Sequence, residues 1–590
     1  MSINSASYMA YSALMAIQVQ MTVASSNIAN ADTTGYSEET ANLAALVSGG
    51  AGAGVTVTGI TGNVDKMLIK SLIGAASDVG SANSLNNYLD QLQQLYGSTG
   101  NSSGAGTSLG NTLASLETAM SSLAGTPSDA SLQASAVAAL KAVGTQLNQI
   151  SSGIQKLRGN ADQDIGSAVK DVNQQLQLIS SLNSQIAQAT AGGQSTAALE
   201  DQRNTALQDV ASKMNINYFT APNGSVQVYT TSGQALVDNA AHPITYTPAS
   251  SVSQSTKYSA TPPSGFAGIM VNGQDITSQI TSGSIGALVS LRDTVLPGAQ
   301  SQLDQLATQL ESSLNAVHNQ GTSLPPPATL TGTAAVTSST ALNAKGTVRL
   351  AITDAKGNLV SYQDLDLSKY ATVGDLVSAI NGISGMSASV NSSGNLVISS
   401  TNSSDGVAIN EMSSSVGSSG QGFSDFFGLN DLVTGTGAAN FAVRSDIVSN
   451  PGLLATSTLD SSATLTPPNS VLTAGSQTVA NNLDAALKGS TTFAAVAGLG
   501  ATTTSFASYA ADITASVASQ AKQASTNLTN QQAAQTAFQS TLSSESGVNV
   551  DQETARLSTL QNQYTAATEL LQVINQMFSA LMTSVQSAAA

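Results

Sequence analysis

The 590-residue sequence contains no cysteine, which excludes a disulfide frame and any thiolate metal site. A chain without thiols also suits passage between compartments in an unfolded state, because nothing can crosslink on the way. Charge is scarce as well. Asp, Glu, Lys and Arg together make up 9% of the residues, against about 25% in an ordinary globular protein. Aromatic residues reach only 4%, and the 41% hydrophobic share comes mainly from small side chains, so cores of Ala, Leu and Val are expected. The 18 basic residues stand against 35 acidic ones for a net charge of −17, and no basic run occurs. Nucleic acid is therefore excluded as a partner, since phosphate binding needs clustered Lys and Arg. No window holds about 18 consecutive apolar residues, so no membrane insertion is expected. The opening "MSINSASYMAYSALMAIQVQ" lacks the positive first region and continuous apolar run of a secretory signal. Export would have to use a route that reads no cleavable signal peptide.

The absence of charge is most marked at the two ends. No charged residue precedes Asp32, and none follows Glu569. A helix facing water normally carries charge on its wet side, so both ends are expected to face something other than bulk water. Ile3, Ser7, Ala10, Leu14, Ile17, Met21, Ala24 and Ile28 alternate spacings of four and three, the period of a coiled-coil seam. Leu557, Leu560, Tyr564, Ala567, Leu571, Ile574, Phe578, Leu581 and Val585 do the same with larger side chains. The N-terminal stripe stops at Asn27, Ile28, Ala29 and Asn30, followed by a break at Thr34, Gly35 and Tyr36.

At this length roughly four domains of about 150 residues would be the prior. Periodicity in the first half is helical: Leu147, Ile150, Ile154 and Leu157 run on into Val172, Leu176, Ile179 and Ile186, predicting one or two long helices. Another helix covers 197–213. "NINYFTAPNGSVQVYT" then alternates Ile216 and Tyr218 against Val226 and Val228, a hairpin with a two-residue turn at Asn223-Gly224. Helical pattern returns over 284–320, and "SLPPPATLTGT" ends it, because three prolines cannot continue a helix. Beyond lie strand patterns around Val348, Leu350 and Ile352, a Lys-Gly-Asn turn, a capping box at Thr372 and Asp375, and the strand "GNLVISS". Helical pattern resumes from about Phe506. The expected fold is mainly α with a β-rich insertion. Residues 1–47 and 547–590 form a terminal helical pair resembling a coiled coil, and 48–328 with 468–546 form a long-helix stalk with a small hairpin. Residues 329–467 form an inserted outer domain, mixed α/β or β.

Chemistry is sought and not found. "GTSLG" (106–110) fits a nucleophile elbow but has no apolar strand before it, and 50 glycines make chance matches common. His242 and His318 are isolated and read as surface or helix-end polar residues, neither a zinc site nor a triad. "GGAGAGVTVTG" (49–59) runs from loop to strand, opposite to a phosphate-binding loop. "DAKGN" at Asp354 has too few acids for a calcium loop. No catalytic residue, cofactor or metal is expected.

"ASSNIANADTTGYS" (24–37) resembles the N-terminal signature of the axial proteins of bacterial flagella, the rod, hook and hook-associated subunits. "GAGVTVTGI" (52–60), "VDKMLIKSL", "LEDQRNTALQDVASKMNI" (199–216) and "SIGALVSLRD" (284–293) are similar to segments of the hook-associated members that join hook to filament. "SGVNVDQETARLSTLQNQYTAATELLQVINQMFSALM" (546–582) is similar to the family's C-terminal helix, and the block from about 330 to 465 resembles a small β-rich module of flagellins and hook-associated proteins. Glu38 stands where the family usually has a basic residue, and Gln552 where a second acid is common, which puts individual salt bridges in doubt. The resemblance implies a structural subunit of the flagellum at the junction of hook and filament, exported by the flagellar type III apparatus to the cell exterior. It further implies a ring of identical subunits, contacts with the hook protein and a second junction protein, and an export chaperone on the C-terminal helix. Subunit packing would fall to Leu14, Ile17, Met21, Ile28, Leu557, Leu560, Tyr564, Leu571, Ile574, Phe578 and Leu581. The signature turn would rest on Asn27, Asn30, Gly35 and Tyr36. A flagellin or another hook-associated subunit would share both ends, and a secreted adhesin is a more distant alternative.

Overall fold

The computed structural model describes every residue except 1, 2, 34, 49, 50, 98, 99, 102, 103, 193 and 590. In chain order its principal helices are α1 (Ile3–Asn30), α2 (Lys66–Leu95), α3 (Leu109–Gly125), α4 (Ala130–Ala191), α5 (Ala197–Lys213), α6 (Gly283–Ser290), α7 (Leu296–His318), α8 (Val373–Asn381), α9 (Thr478–Lys488), α10 (Phe506–Ser546) and α11 (Val550–Ala589). The strands used below are β1 (Glu39–Ser48), β2 (Ala51–Gly62), β3 (Ile216–Thr220), β4 (Val226–Thr230), β5 (Ala235–Val237), β6 (Thr329–Ala335), β7 (Thr347–Asp354), β8 (Leu359–Asp366), β9 (Met386–Val390), β10 (Asn395–Ser400) and β11 (Asp405–Asn410). Helix dominates and strands gather in short antiparallel sheets, as the sequence pattern predicts. The chain folds as two compact units: residues 1–88, 159–293 and 522–590 form the first, and 89–158 with 294–521 the second.

The long helical pattern after residue 130 is one helix. α4 has 62 residues, and Leu140, Leu147, Ile150, Ile154, Ile165, Val172, Leu176, Ile179 and Ile186 are buried along it, the stripe that held the pattern together. In the first unit, β1 and β2 form a two-stranded antiparallel ribbon that packs on α1. Gly54 is required there, because its φ is +133° and a Cβ would run into Ser12 Oγ. The predicted hairpin pairs Tyr218 with Val228 and Thr220 with Val226, but its loop is longer than two residues. Ala221 N–H donates to Ser225 O at 2.8 Å, leaving residues 222–224 as the loop, and Asn223 Oδ1 accepts from Ser225 N–H at 3.1 Å. Three-residue loops of this kind are the next commonest hairpin connection.

Side-chain amides on helices dock extended backbone in both units. Asn173 on α4 donates to Ile244 O at 2.8 Å and accepts from Ile244 N–H at 2.8 Å. Asn183, one face further along, does the same with Val226 at 2.7 and 2.9 Å. In the second unit Asn315 on α7 takes Val433 and Asn381 on α8 takes Ala388, each through one donated and one accepted bond of 2.7–2.9 Å. An amide carries a donor and an acceptor side by side, so it can stand in for a neighbouring strand.

In the second unit, β6–β10–β9 and β8–β7–β11 form two three-stranded antiparallel sheets. The capping box predicted at Thr372 and Asp375 starts α8. Val348, Leu350 and Ile352 of β7 join a core with Leu376, Ile380, Leu396 and Phe427, while Ala351 on the opposite face packs with Leu459, Leu465 and Leu472. Because both faces of β7 are covered, Arg349 is fully buried. Its fork binds Asp364 at 2.7 and 2.8 Å and its remaining nitrogen binds Asp460 O and Ser462 O. Residues 430–455 lie against α7 through Asn315 and through His318.

His318 ends α7 as expected but lies 1% exposed, not on the surface. Its Nδ1 faces Asn430 O and its Nε2 accepts the Ala455 N–H at 2.8 Å, which fixes a neutral ring with the proton on Nδ1. Burial, assisted by Arg444, pushes its pKa down to about 4. A native pKa below the unfolded one means that the unfolded chain binds more protons, so this contribution is complete above about pH 6.5 and lost as pH falls toward 4, to the extent of about 3 kcal/mol. Glu311, raised to about 7 by burial and by Asp431, acts in the opposite sense. The difference between wild type and His318→Asn should isolate the histidine. In chemical denaturation their stability gap is expected to narrow between neutral pH and pH 4.5, and a constant gap would contradict the assignment.

Candidate subunit-packing interface

The two charge-free ends meet. Glu38 N–H donates to Ser546 O at 2.8 Å, so α11 begins where α1 has just ended, and the two helices, which pack on each other, run antiparallel. On α11, Leu560 and Ile574 are buried, at 5% and 8% exposure, and Leu557, Tyr564 and Leu571 are half-buried. On α1, Ala10, Val23, Ala24 and Asn27 are buried, while Leu14, Ile17, Met21 and Ile28 are half-buried. Phe578 and Leu581 do not share the covered side and are 45% and 48% exposed. The reason is length, since α1 has 28 residues and α11 has 40, so the end of α11 runs past its partner.

Each helix also carries a second apolar stripe that the single heptad reading passed over. Tyr8, Tyr11 and Met15 are exposed on α1, and Leu570, Val573 and Met577 on α11. Their spacing repeats the alternation of three and four, one position off the first stripe, and that offset was the signal available in the sequence. These apolar side chains stand open to solvent on helix stretches without charge, the kind of patch that contact surfaces have.

The signature turn is built around Asn27, which is fully buried. Its Nδ2 donates to Glu39 O at 2.9 Å, and its Oδ1 accepts from Glu39 N–H at 3.0 Å and from the Tyr36 hydroxyl at 2.9 Å. It is a further instance of an amide docking a strand on a helix, here the first residue of β1. Asn30 Nδ2 donates to Ser26 O at 3.0 Å, satisfying a carbonyl near the helix end. Gly35 has φ +82°, a conformation that side chains resist; Thr34 lies outside the described residues. Burial, with the nearby charges of Glu39, Asp201 and Glu553 against a hydrogen bond to Ser26, raises the Tyr36 pKa.

The run Leu-Glu-Asp-Gln-Arg now has three separate duties. Glu200 Oε1 accepts from Thr196 Oγ1 at 2.8 Å just before α5. Asp201 receives Ser37 N–H at 2.8 Å and Ser37 Oγ–H at 2.9 Å, tying α5 to the turn. Arg203, 4% exposed, donates to Gly224 O at 2.8 Å and Asn183 Oδ1 at 3.2 Å, holding the hairpin loop. Of the two departures from the family pattern, Glu38 uses its backbone here, and exposed Gln552 has its N–H capped by Asn549 Oδ1 at 3.1 Å.

The other motifs resolve into structure. Ser108 of "GTSLG" caps α3, accepting from Asn111 N–H at 3.4 Å. His242 lies 3.1 Å from Asp238. Among the described residues no cluster of three or more His, Asp or Glu could hold a metal ion, and no helix is long and apolar enough to cross a membrane.

Comparison with known proteins places four segments. Residues 89–330 match the helical domain of the flagellar hook-associated protein FlgK, 8–36 the flagellar basal body rod proteins, 539–584 the C-terminal region of the rod proteins FlgE, FlgF and FlgG, and 347–402 the flagellin hook IN motif. The chain is similar to flagellar hook-associated protein 1 of Salmonella typhimurium, with 27% identity over 53% of this chain and 56% of the relative. Its counterpart in Escherichia coli is 24% identical over the same shares. The chain thus spans about half the length of the curated relatives it matches. Its fold matches the flagellar hook junction protein FlgK from Burkholderia pseudomallei at a TM-score of 0.50 and 17% identity, covering 80% of this chain and 98% of that one.

Proposed function

We propose that this chain, which carries the helical domain of the flagellar hook-associated proteins between the two ends of the flagellar axial subunits, is a structural subunit of the junction between hook and filament. The observation that carries the reading is the pair of terminal helices, α1 without any charge and α11 without charge after Glu569, each with one apolar side on the other and further apolar side chains left open. Helices of that kind suit a tube in which neighbouring subunits take the place of water. On this reading a ring of identical subunits packs through residues 1–47 and 547–590. Residues 48–328 with 468–546 would be the stalk, and 329–467 the inserted outer domain. Hook protein lies on one side and a second junction protein on the other. Export through the flagellar type III apparatus, with a chaperone on α11, would bring the chain to the cell exterior without a cleavable signal peptide. The role is mechanical and needs no catalytic residue.

The flagellin hook IN match is the one feature that favours a flagellin or a different hook-associated subunit. The helical domain over 89–330 weighs against that alternative. Immunogold labelling of isolated hook–basal bodies and of intact flagella separates them. A band confined to the distal end of the hook is expected, and label along the filament would overturn the junction assignment.

A further inference from the structure

Where α1, the turn, β1, α5 and α11 come together, three carboxylates lie near enough to one hydroxyl to act on it electrostatically. Glu39 and Glu553 are 8% and 3% exposed, and Asp201 is held by Ser37. All three act electrostatically on the Tyr36 hydroxyl, which itself is bonded to Asn27. The cation present is Arg556, 3.3 Å from Glu553 Oε1. The second oxygen, Glu553 Oε2, is buried with no hydrogen-bond partner. Ionised carboxylates only accept, so the cluster is short of donors as well as of positive charge. A buried acceptor without a donor is costly, and carboxylates that outnumber the cations leave excess negative charge in a place water reaches poorly.

We propose that this joint takes up a proton from solvent as it closes, so that α1 and the signature turn dock on α5 and α11 more tightly at lower pH. The step is binding of one proton to a carboxylate oxygen, with no bond broken and no co-reactant. It converts one acceptor into a donor and removes one negative charge. Because Glu39 and Asp201 act on each other, the proton belongs to the pair and not to one residue. Burial raises the carboxyl pKa of Glu39, with help from Asp201, and raises that of Asp201 in spite of the two bonds from Ser37. A native pKa above the unfolded one gives stability that is complete at low pH and lost as pH rises through the native value. The other charged groups on the facing parts of these elements are Asp32, Glu38, Glu200, Arg203, Asp551 and Arg556, Arg203 being engaged by Gly224 O and Asn183 Oδ1, and no histidine lies on any of these elements. Glu200 is engaged by Thr196.

Amide hydrogen exchange of the full chain tests this, read between about pH 8 and about pH 5.5 after correction for the intrinsic rate. Protection of residues 27–39 and 550–560 is expected to rise as pH falls, with about tenfold per pH unit as the upper limit set by one bound proton. The double variant Glu39→Gln/Glu553→Gln is expected to be protected already at high pH and to lose the slope. Glu569→Gln, exposed on α11, should keep it. Should the double variant lose helix content, Glu39→Gln alone decides: a flattened slope supports the proposal, and an unchanged one overturns it. A wild-type chain whose protection at this joint does not vary with pH overturns it as well.

Discussion

Cells in which Val573 and Met577 are both replaced by aspartate are expected to export a folded protein and to shed their filament subunits into the medium. Both side chains are about half exposed, 51% and 55%, so the isolated chain has little to lose by the exchange. Between copies the account differs. Burying each aliphatic side chain contributes on the order of 1.5–3 kcal/mol, and an aspartate adds the cost of desolvating an unpaired charge. A ring repeats the defect in every subunit. Motility should therefore be abolished while the circular dichroism spectrum and thermal midpoint stay as in the wild type. Leu571→Asp, on the half-buried seam toward α1, should fail in the same way and also loosen the helix pair. Glu569→Gln, exposed and off both stripes, should swim normally. Secretion is scored separately, because the proposed chaperone would grip the same face. Normal swimming of the double variant, with the protein present at the junction, would sink the packing account of α11.

Asn27→Asp is expected to be the most damaging single substitution in the first unit. The side-chain amide donates to Glu39 O while its oxygen accepts from Glu39 N–H and Tyr36. A carboxylate of the same shape keeps the two acceptor bonds and loses the donor. It leaves a buried carbonyl unsatisfied and adds a charge beside Glu39, Asp201 and Glu553, which already crowd Tyr36. An uncompensated buried charge of this kind costs on the order of 3–5 kcal/mol. Chemical denaturation at neutral pH should show an earlier transition for the variant, and limited proteolysis should release both termini. Asn27→Ala, which removes the bonds without adding charge, is expected to fall between the two. Equal midpoints for wild type and Asn27→Asp would show that the turn is not built on this residue.

Much of the fold could be read in the sequence because the determining contacts are local or periodic. The stripe of α4 persists from Leu140 to Ile186, so its helix was legible even though its continuity was not. The capping box at Thr372 and Asp375 and the strands of β7 and β10 follow from neighbours in sequence. The joint could not be read in the same way. Asp201 reaches Ser37 across 164 positions, and nothing near either residue announces the other. Arg203 and Glu553 belong to quoted motifs, but their burial depends on which helices pack over them. His318 was placed correctly at a helix end, but its burial was not legible, because residues 430 and 455 that cover it come from far along the chain. On the terminal helices, one heptad stripe each was found and the second was missed, since a helix stretch without charge can bear two apolar faces where a monomer's helix has one.

The amide bonds of Asn27, Asn173, Asn183, Asn315 and Asn381 to extended backbone have a consequence for the medium in which the chain holds its shape. Each fastens a strand or loop to a helix through an uncharged donor and acceptor of one side chain. Dissolved ions screen attraction between charges and leave bonds between neutral groups almost untouched. A molecule fastened with salt bridges would loosen as its surroundings turned from fresh water to brine. One fastened with asparagines keeps the same grip in both.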